Sequence, residues 1–363
     1  METHRKTDEN KTVCFFSGDI SRSGGTERVA SMIANGLCRR GNFRIVILSL
    51  VQKQEPFFEI DGRICCYALG EKWIQPGPGY LRLLPKLRHF LKEQKVDVIV
   101  DIDIVLDVLS IPAARRLPVR VISWEHFNYF GEQKVLYRRL ILKYSVKRSD
   151  YVVTLTERDK ENYAAYLGRT KRIAAIHNPM EQRDTPEGKK EKWIISVGSL
   201  SRTKGMDYLA ETAVSVLHKH PDWKWLVLGE GDMREYLEEQ VRTAHLEEQL
   251  ILKGNVKNVF EYLQKAQIFV LTSLFEGLPM CLLEAKACRL PCVSFDIMTG
   301  PSEIIRDREN GFLVSPYDCG AMAERINLLI ENEDLRTHFT QQTVLDVEKF
   351  QIEEILGKWE RLL

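Results

Sequence analysis

Short apolar runs alternate with longer amphipathic stretches along the whole chain. The amphipathic stretches of the first half predict helices over residues 25–40, 80–94, 132–148 and 157–167. Strands that alternate with helices form a parallel sheet covered by helices on both faces. Six apolar runs in this half are short enough to be single strands: Thr12–Phe16, Arg44–Leu50, Val96–Val100, Val119–Ser123, Tyr151–Leu155 and Arg172–Ile176.

The alternation breaks once and then restarts. The break is His177-Asn178-Pro179, followed by a polar stretch over residues 181–192 that we interpret as a linker. A length of 363 residues suits two domains of about 100–200 residues each. We therefore predict an α/β protein with two doubly wound, Rossmann-like domains, at residues 1–178 and 191–346. The strands predicted after the break are Trp193–Gly198, Trp223–Leu228, Gln249–Lys253, Ile268–Leu271, Pro291–Ser294 and Phe312–Val314.

Composition narrows the cellular setting. No apolar run reaches the ~18–20 residues that a membrane-spanning helix needs, and the polar N-terminal stretch lacks the apolar region of a signal peptide. The eight cysteines lie mostly inside apolar runs, and none forms a CxxC pair. Reduced, buried thiols in a cytoplasmic protein are the expectation from this pattern, rather than a disulfide or zinc framework.

The formal net charge of +1 hides an asymmetry between the two halves. Residues 1–177 hold 30 Lys and Arg against 20 Asp and Glu, a net of +10, and the remainder holds 22 against 31, a net of −9. The first half is therefore expected to meet something anionic. No RNA- or DNA-binding signature is present, so we expect a membrane surface or a phosphate-bearing acceptor rather than nucleic acid.

The segment TSLFEGLPMCLLEAKA carries two glutamates, Glu276 and Glu284, at a junction between a strand and a helix. The apolar run Ile268–Leu271 precedes it, and leucines and alanines at helical spacing follow. Proline is favoured at the first helical position, so Pro279 predicts the helix start and Glu284 lies about two turns in. The first helical N–H groups would point at a crevice and bind an anion such as phosphate. Carboxylates that accept hydrogen bonds from hydroxyls, beside N–H groups that donate to phosphate, suit a sugar nucleotide as the ligand.

This segment resembles the paired-glutamate motif of retaining glycosyltransferases of the GT-B fold, especially those of family 4. The resemblance implies that Glu276 and its loop, Gly277, Leu278 and Pro279, hold the donor sugar, and that Glu284 binds the ribose hydroxyls. It also implies two Rossmann-like domains facing a central cleft, with a last helix, within residues 347–363, that crosses back to the first domain. The alternative is an acidic junction with two solvated carboxylates.

Basic and glycine residues elsewhere resemble further parts of the same family pattern. Gly24 and Gly25 precede a helix, where backbone can approach a diphosphate closely, although an ordinary tight turn also explains a glycine pair. Lys204 matches the family's lysine, which neutralises the leaving diphosphate. The family commonly has an arginine where this chain has Ser199, and Arg202 is our candidate to supply that charge. The alternative for Arg202 and Lys204 is a solvated turn.

His126, in the segment SWEHFN, follows a predicted strand and resembles the family's histidine in an EH-containing turn. The resemblance implies hydrogen bonding to the donor sugar and support of the leaving group, so His126, Lys204 and Glu276 are the catalytic candidates. A structural histidine is the alternative, and Glu125 is interpreted as orienting the loop.

Three further turns follow predicted strands. By resemblance, Gly229 and Gly231 lie near the diphosphate or the base, and Asn255 and Val256 flank the nucleobase. The segment TGPSEII, with Gly300 to Glu303, is similar to segments of family members that build bacterial surface polysaccharides, often from galactose-type donors.

Asp101-Ile102-Asp103 has the DxD form of metal-dependent GT-A transferases, and Asp107 lies nearby. GT-B enzymes hold the diphosphate with positive side chains and helix ends, so we expect no metal and no cofactor other than the nucleotide-sugar substrate. The chain also lacks a HExxH, a Walker loop and a GxGxxG fingerprint.

Two basic amphipathic stretches, near residues 80–95 and 132–148, place Lys and Arg among leucines. Basic residues beside an apolar face suit an interfacial helix on anionic lipid. The alternative is an ordinary amphipathic helix packed on the sheet. We expect peripheral attachment to the cytoplasmic face of the membrane.

Together these motifs predict a retaining transferase that moves a hexose or N-acetylhexosamine, of galactose type, from a UDP-sugar to a saccharide acceptor linked to lipid. Two alternatives stay open: a GT-B sugar-nucleotide epimerase, which needs no acceptor, and a non-catalytic protein that binds nucleotide sugars.

Overall fold

The computed structural model describes residues 10–70, 79–133, 136–168, 172–181 and 190–363. They form two compact units. The first contains residues 1–179 and the C-terminal segment 352–363, and the second contains residues 180–351. The polar stretch predicted as a linker lies mostly outside the described residues, as does Lys134.

The first unit is built on seven parallel strands in the order β3-β2-β1-β4-β5-β6-β7. Its strands are β1 (Lys11–Ser17), β2 (Phe43–Val51), β3 (Cys65–Gly70), β4 (Val98–Asp101), β5 (Arg120–Trp124), β6 (Tyr151–Thr154) and β7 (Ile173–Ala175). Its helices are α1 (Gly25–Arg40), α2 (Leu84–Glu93), α3 (Asp107–Ala114), α4 (Tyr129–Gln133), α5 (Leu136–Arg148), α6 (Glu157–Leu167) and the C-terminal α14 (Ile352–Leu362).

The second unit is built on six parallel strands in the order β10-β9-β8-β11-β12-β13. The strands are β8 (Trp193–Val197), β9 (Lys224–Leu228), β10 (Leu250–Gly254), β11 (Ile268–Leu271), β12 (Cys292–Phe295) and β13 (Gly311–Val314). The helices are α7 (Met206–Leu217), α8 (Arg234–Thr243), α9 (Val259–Lys265), α10 (Met280–Ala287), α11 (Pro301–Ile304), α12 (Cys319–Glu331) and α13 (Glu333–Gln342).

Both sheets confirm the α/β class predicted from the alternation, and in both the strand order reverses at one point. In the first sheet β1 lies between β2 and β4, and in the second β8 lies between β9 and β11. Sheets of this kind bind ligands outside the carboxyl ends of the strands where the order reverses. The loops that follow β1, β4, β8 and β11 are therefore the places to look for a site.

Two elements of the first unit were not predicted. Strand β3 pairs with β2 at the edge of the sheet, and its residues are mostly part-exposed. The apolar run over residues 64–69 was the available signal for this strand. Helix α3 contains Pro112, a residue that usually breaks helices. The missing N–H of this proline removes one hydrogen bond of the helix, which ends two residues later.

The C-terminal helix α14 is part of the core of the first unit. Trp359 is fully buried, with its ring 4.8 Å from that of Trp124 and 6.3 Å from that of Phe15. Gly36 of α1 leaves room for α14, because a Cβ there would lie 2.6 Å from a methyl carbon of Leu356. These contacts make the last helix a structural member of a domain whose other elements all precede residue 180.

Candidate active site

The loops that follow β8 and β11 meet at the reversal point of the second sheet. Gly205 ends the first loop with a φ of 65°, in the left-handed region, and a Cβ on it would lie 2.0 Å from the carbonyl oxygen of Thr272. The Thr272 hydroxyl donates to the Lys204 carbonyl at 3.0 Å, and the Leu274 N–H donates to the Thr203 carbonyl at 2.9 Å. A glycine is therefore required here for the two loops to approach each other.

This approach brings together Lys204 and Glu276, which are 72 residues apart in the chain. The Lys204 Nζ donates to Glu276 Oε1 at 2.6 Å, and the two side chains are only 25% and 10% exposed. Burial lowers the pKa of Lys204, but the charge of Glu276 and its hydrogen bond outweigh that effect, so the net pKa is raised. The lysine is therefore a positive charge held in a partly dry site at neutral pH.

Helix α10 begins at Met280, one residue later than predicted, with Pro279 as its N-cap in extended conformation. Glu284 is therefore little more than one turn into the helix, not two, and its side chain is buried. Helix α10 has no side-chain cap at Pro279, and the N–H of its third residue, Leu282, donates to the Pro279 carbonyl at 3.2 Å. Gly277 is part-exposed in that loop, and Leu278 is buried.

A third loop fixes the EGLP segment in place. The Thr299 hydroxyl donates to the Glu276 carbonyl at 2.6 Å. Gly300 has a φ of 100°, and a Cβ on it would lie 2.8 Å from Pro279 and 3.1 Å from the Gly277 carbonyl oxygen. This role of Gly300 was not predicted from the GPSE segment, although a glycine before a proline was the available signal.

The glycines Gly229 and Gly231 are required by the protein's own backbone. A Cβ on Gly229 would lie 1.9 Å from the Gly198 carbonyl oxygen, and one on Gly231 would lie 2.3 Å from that of Leu200. The turn is thereby packed against the loop that carries Lys204. Of the two residues predicted to flank a base, Asn255 is exposed and Val256 is part-exposed, just after β10.

Arg202 lies in a single turn of 3₁₀ helix, Arg202–Lys204, with its side chain exposed. Ser199 is also exposed, and its hydroxyl lies 3.3 Å from that of Ser201. The guanidinium is therefore two residues from Lys204 on a long, solvated side chain. Cys281 is close enough to Lys204 to feel its charge, but burial raises the pKa of the thiol to about 12, so it stays protonated.

In the first unit, His126 follows β5 and is 9% exposed. Its ring centroid lies 4.5 Å from that of Trp124, and its Nε2 atom has no hydrogen-bond partner among the residues that the structure describes. Burial lowers the pKa of His126 to about 3, so the imidazole is neutral at physiological pH. A neutral, buried ring with an unpartnered nitrogen can hydrogen bond to a ligand but does not carry a charge.

Glu125 organises the turn that holds this histidine. Its Oε1 atom accepts a hydrogen bond from the Phe127 N–H at 2.9 Å, and the Tyr163 hydroxyl lies 3.5 Å from its Oε2. The carboxyl is fully buried. These contacts agree with the interpretation of Glu125 as a residue that orients the loop.

Gly24 is the N-cap of α1, and Gly25 is its first residue. A Cβ on Gly24 would lie 2.3 Å from Glu27 Oε2, so a buried glutamate folds back over the helix start. Burial raises the pKa of Glu27, and Arg22 lies 3.9 Å from it. Glu27 was not predicted as a site residue, although it is the third residue of the helix, where an acidic side chain commonly caps the free N–H groups.

The first aspartate of the DxD segment forms a buried carboxyl pair with the nearby Asp107. Asp101 and Asp107 are fully buried, with Ser110 donating to the first and Ser123 donating to the second. Burial, and then the neighbouring Asp107, raise the pKa of Asp101, and burial also raises that of Asp107. No cluster of three or more metal-binding side chains occurs in the described part of the chain.

Comparison with known families matches almost the whole chain. The family described as Glycosyltransferase Family 4 matches residues 23–182, and the family described as Glycosyl transferases group 1 matches residues 178–344. An uncharacterized glycosyltransferase of Haemophilus influenzae is 32% identical, over 97% of this chain and 100% of its own length.

A second relative has a specified activity. It is an α-1,4-N-acetyl-D-galactosaminyltransferase of Campylobacter jejuni, named for a saccharide on undecaprenol diphosphate, and it is 25% identical over 94% of this chain and 95% of its own length. Among solved structures, a mutant of S. aureus TarM in complex with UDP superposes with a TM-score of 0.82 at 16% identity, covering 97% of this chain and 99% of that chain. At this identity the superposition shows a shared fold.

Proposed function

Because this chain belongs to the glycosyltransferases of the GT-B type, we propose that it transfers a hexose or N-acetylhexosamine from a UDP-sugar to a saccharide acceptor, with retention of configuration. The donor is of galactose type and the acceptor is linked to lipid, as in the name of the Campylobacter relative. The product would be a bacterial surface glycan.

The observation that carries the proposal is the Lys204–Glu276 pair beside the start of α10. The charged lysine and the first N–H groups of the helix would stabilise the negative charge that develops on the departing diphosphate, with Arg202 moving in from solvent. A preorganised donor of this kind contributes about 3–4 kcal/mol to catalysis. Glu276 would hold the sugar hydroxyls, and the buried Glu284 the ribose.

In this mechanism, the neutral His126 donates or accepts one hydrogen bond at the donor sugar. The acceptor hydroxyl attacks from the side of the leaving group, and we propose no covalent nucleophile. Gly24 and Gly25 would let backbone approach the diphosphate, the turns at Gly229–Gly231 and at Asn255 and Val256 would flank the nucleotide, and no metal would be required. Each of these roles is part of the proposal.

We also propose peripheral attachment to anionic membrane through α5. Three of its apolar side chains are exposed, Leu136 by 62%, Tyr137 by 49% and Leu140 by 59%, and Lys143 and Lys147 follow on the exposed surface. An apolar tip beside cations suits an interfacial helix. The stretch near residues 80–95 does not share this pattern, because Leu87 and Leu91 of α2 are buried in the core of the first unit and Leu84 packs against that core. No helix within the described residues could span a membrane.

A thermal-shift panel of UDP- and GDP-sugars tests the donor, since a ligand that binds the folded state raises the melting temperature. We expect selective stabilisation by one UDP-hexose or UDP-N-acetylhexosamine. Transfer from that donor to undecaprenol-diphosphate saccharides is then measured, with anomeric configuration assigned by NMR. Appearance of an epimer from the donor alone would favour the epimerase, and tight binding without turnover on any acceptor would favour a non-catalytic protein.

A further inference from the structure

A separate pocket of about 760 Å³ lies at the carboxyl ends of β1 and β2 in the first unit. This volume is in the range of small-molecule sites, about 300–1,000 Å³. Of the residues that line this pocket, only Gly24 has a role in the proposed transfer reaction. The residues that line it are Asp19, Ser21, Arg22, Ser23, Gly24, Lys53, Gln54 and Phe57.

The loop after β1 that forms one wall is held in a fixed shape. Asp19 Oδ1 accepts hydrogen bonds from the Ser21 N–H at 3.0 Å and from its hydroxyl at 2.5 Å. The Ile20 N–H donates to the Ser49 hydroxyl of β2 at 3.3 Å. Because these groups are satisfied inside the protein, the pocket wall exists before any ligand arrives.

Phe57 gives the opposite wall an aromatic surface. Its side chain is 59% exposed, and the edge-on ring of Phe58, 5.1 Å away, supports it. The faces of an aromatic ring are electron-rich, so they attract the C–H groups on the apolar face of a pyranose ring. Hydroxyl and amide groups from Ser23 and Gln54 supply donors and acceptors around that ring, and the Ser21 hydroxyl, which donates to Asp19, supplies an acceptor.

The charged groups at the pocket mouth favour an anion. The Arg22 side chain is 63% exposed and lies 3.9 Å from Glu27. Lys53 is exposed and has no ion pair within the described ranges of the chain. The one acid in the lining, Asp19, is 4% exposed and is engaged by Ser21. Arg22 lies beside Glu27, so Lys53 is the accessible cation without an ion pair among the described residues of the lining. Both acids here, Asp19 and Glu27, are buried, so the exposed charge at the mouth is positive.

We propose that this pocket binds a sugar ring of the acceptor that carries an acidic group, either a carboxylate or a phosphate. Phe57 stacks against the ring, and Lys53 and Arg22 bind the acidic group. The proposal rests on the proposed function for the identity of the ligand as an acceptor, and it assigns a substrate class and two specificity residues to the first unit.

The test measures binding to the full chain by ligand-detected NMR and calorimetry, so it needs no turnover. The probes are octyl β-glucuronide, octyl β-glucoside 6-phosphate and the neutral octyl β-glucoside. We expect one of the acidic probes to bind at least about tenfold more tightly than the neutral one, as charge-assisted hydrogen bonds allow. Comparison of the two acidic probes separates a uronate from a phosphate.

Two variants identify the pocket. Lys53→Gln should lower the affinity for the acidic probe about tenfold and leave the affinity for the neutral probe unchanged. Phe57→Ala should lower the affinity for all three probes. Neither should alter the affinity for UDP. The matched controls are Lys92→Gln, an exposed lysine on α2, and Tyr236→Ala, an exposed aromatic on α8, and both should leave all affinities unchanged.

The proposal is overturned if none of the probes binds, or if the neutral probe binds as tightly as the acidic ones. It is also overturned if Phe57→Ala lowers the affinity for UDP, because the pocket would then belong to the donor site. Acidic probes that bind at Phe57 and Lys53 while no UDP-sugar is turned over on any acceptor would support the pocket and count against the proposed transfer.

Discussion

The two sheets place carboxyl groups after comparable strands, yet the environments of those groups differ. After β4, Asp101 is fully buried with Asp107 and two serine hydroxyls. After β11, Glu276 keeps part of its side chain exposed and meets a charged lysine. The first arrangement raises the pKa of a carboxyl inside a core, whereas the second holds opposite charges at a partly exposed position. A position at the end of a strand identifies a carboxyl group as a candidate site residue. The burial of that group and its hydrogen-bond partners then determine what it can do.

The largest expected effect comes from breaking the charged pair of the second unit. Lys204→Ala should lower transfer about 100-fold or more, because one preorganised donor to the departing diphosphate is lost, and Glu276→Ala should likewise abolish it. Initial rates with purified donor and acceptor measure this, and circular dichroism checks the fold. Lys192→Ala, which breaks an exposed pair with Asp222, is the control and should keep full activity. Unchanged rates in the Lys204 variant would refute the proposed site.

The next effect concerns the carboxyl pair of the first unit. The pKa of Asp101 is raised, so above the ordinary carboxyl range the folded chain keeps a proton that the unfolded chain releases. Stability from this pair is therefore lost as pH rises, by up to about 1.4 kcal/mol per pH unit. In the Asp101→Asn variant, the amide N–H takes the place of the carboxyl proton as the donor to Asp107, and the amide does not titrate.

Urea unfolding of this variant between pH 5 and 8 should show a flatter dependence on pH than the parent chain. Asp334→Asn, an exposed aspartate, should keep the parent's slope. If Asp101→Asn also keeps that slope, the pair does not share a proton.

A smaller effect is expected at Lys286, a buried lysine in α10 whose Nζ donates to the Ile304 carbonyl at 2.8 Å. Burial lowers its pKa to about 8, below the unfolded value, so the folded chain releases a proton first as pH rises. Stability from this group therefore rises between about pH 8 and 10.5. The melting temperature of Lys286→Met should not show that increase with pH, whereas the melting temperature of Lys265→Met, at an exposed lysine, should still show it.

The smallest expected effect is that of metal removal. Lys204 and the start of α10 would supply the positive field, so dialysis against EDTA should leave the transfer rate unchanged. A rate that collapses and is restored by Mg²⁺ or Mn²⁺ would contradict the proposed metal independence. Asp103→Asn in the same assay would then show whether the DxD segment holds that metal.

Much of the fold was accessible from the sequence, since apolar runs such as Ile268–Leu271 coincide with strands. Strand β3 was missed although residues 64–69 form an apolar run, because no local pattern shows that this run pairs at the edge of the sheet. The nearness of Lys204 to Glu276 depends on Gly205 touching Thr272, a tertiary contact that no local spacing encodes. Similarly, Pro279 signalled a helix start but did not distinguish the N-cap from the first helical residue.

The chain leaves the first unit at Pro179 and rejoins it only at Ile352. Phe15 and Trp124 of the first unit pack against Trp359, which is synthesised only after the whole of the second unit. The nascent first unit keeps an open apolar seam while the second unit is being made. A chain truncated after residue 351 would keep the whole of the second unit and would expose that seam to chaperones and proteases.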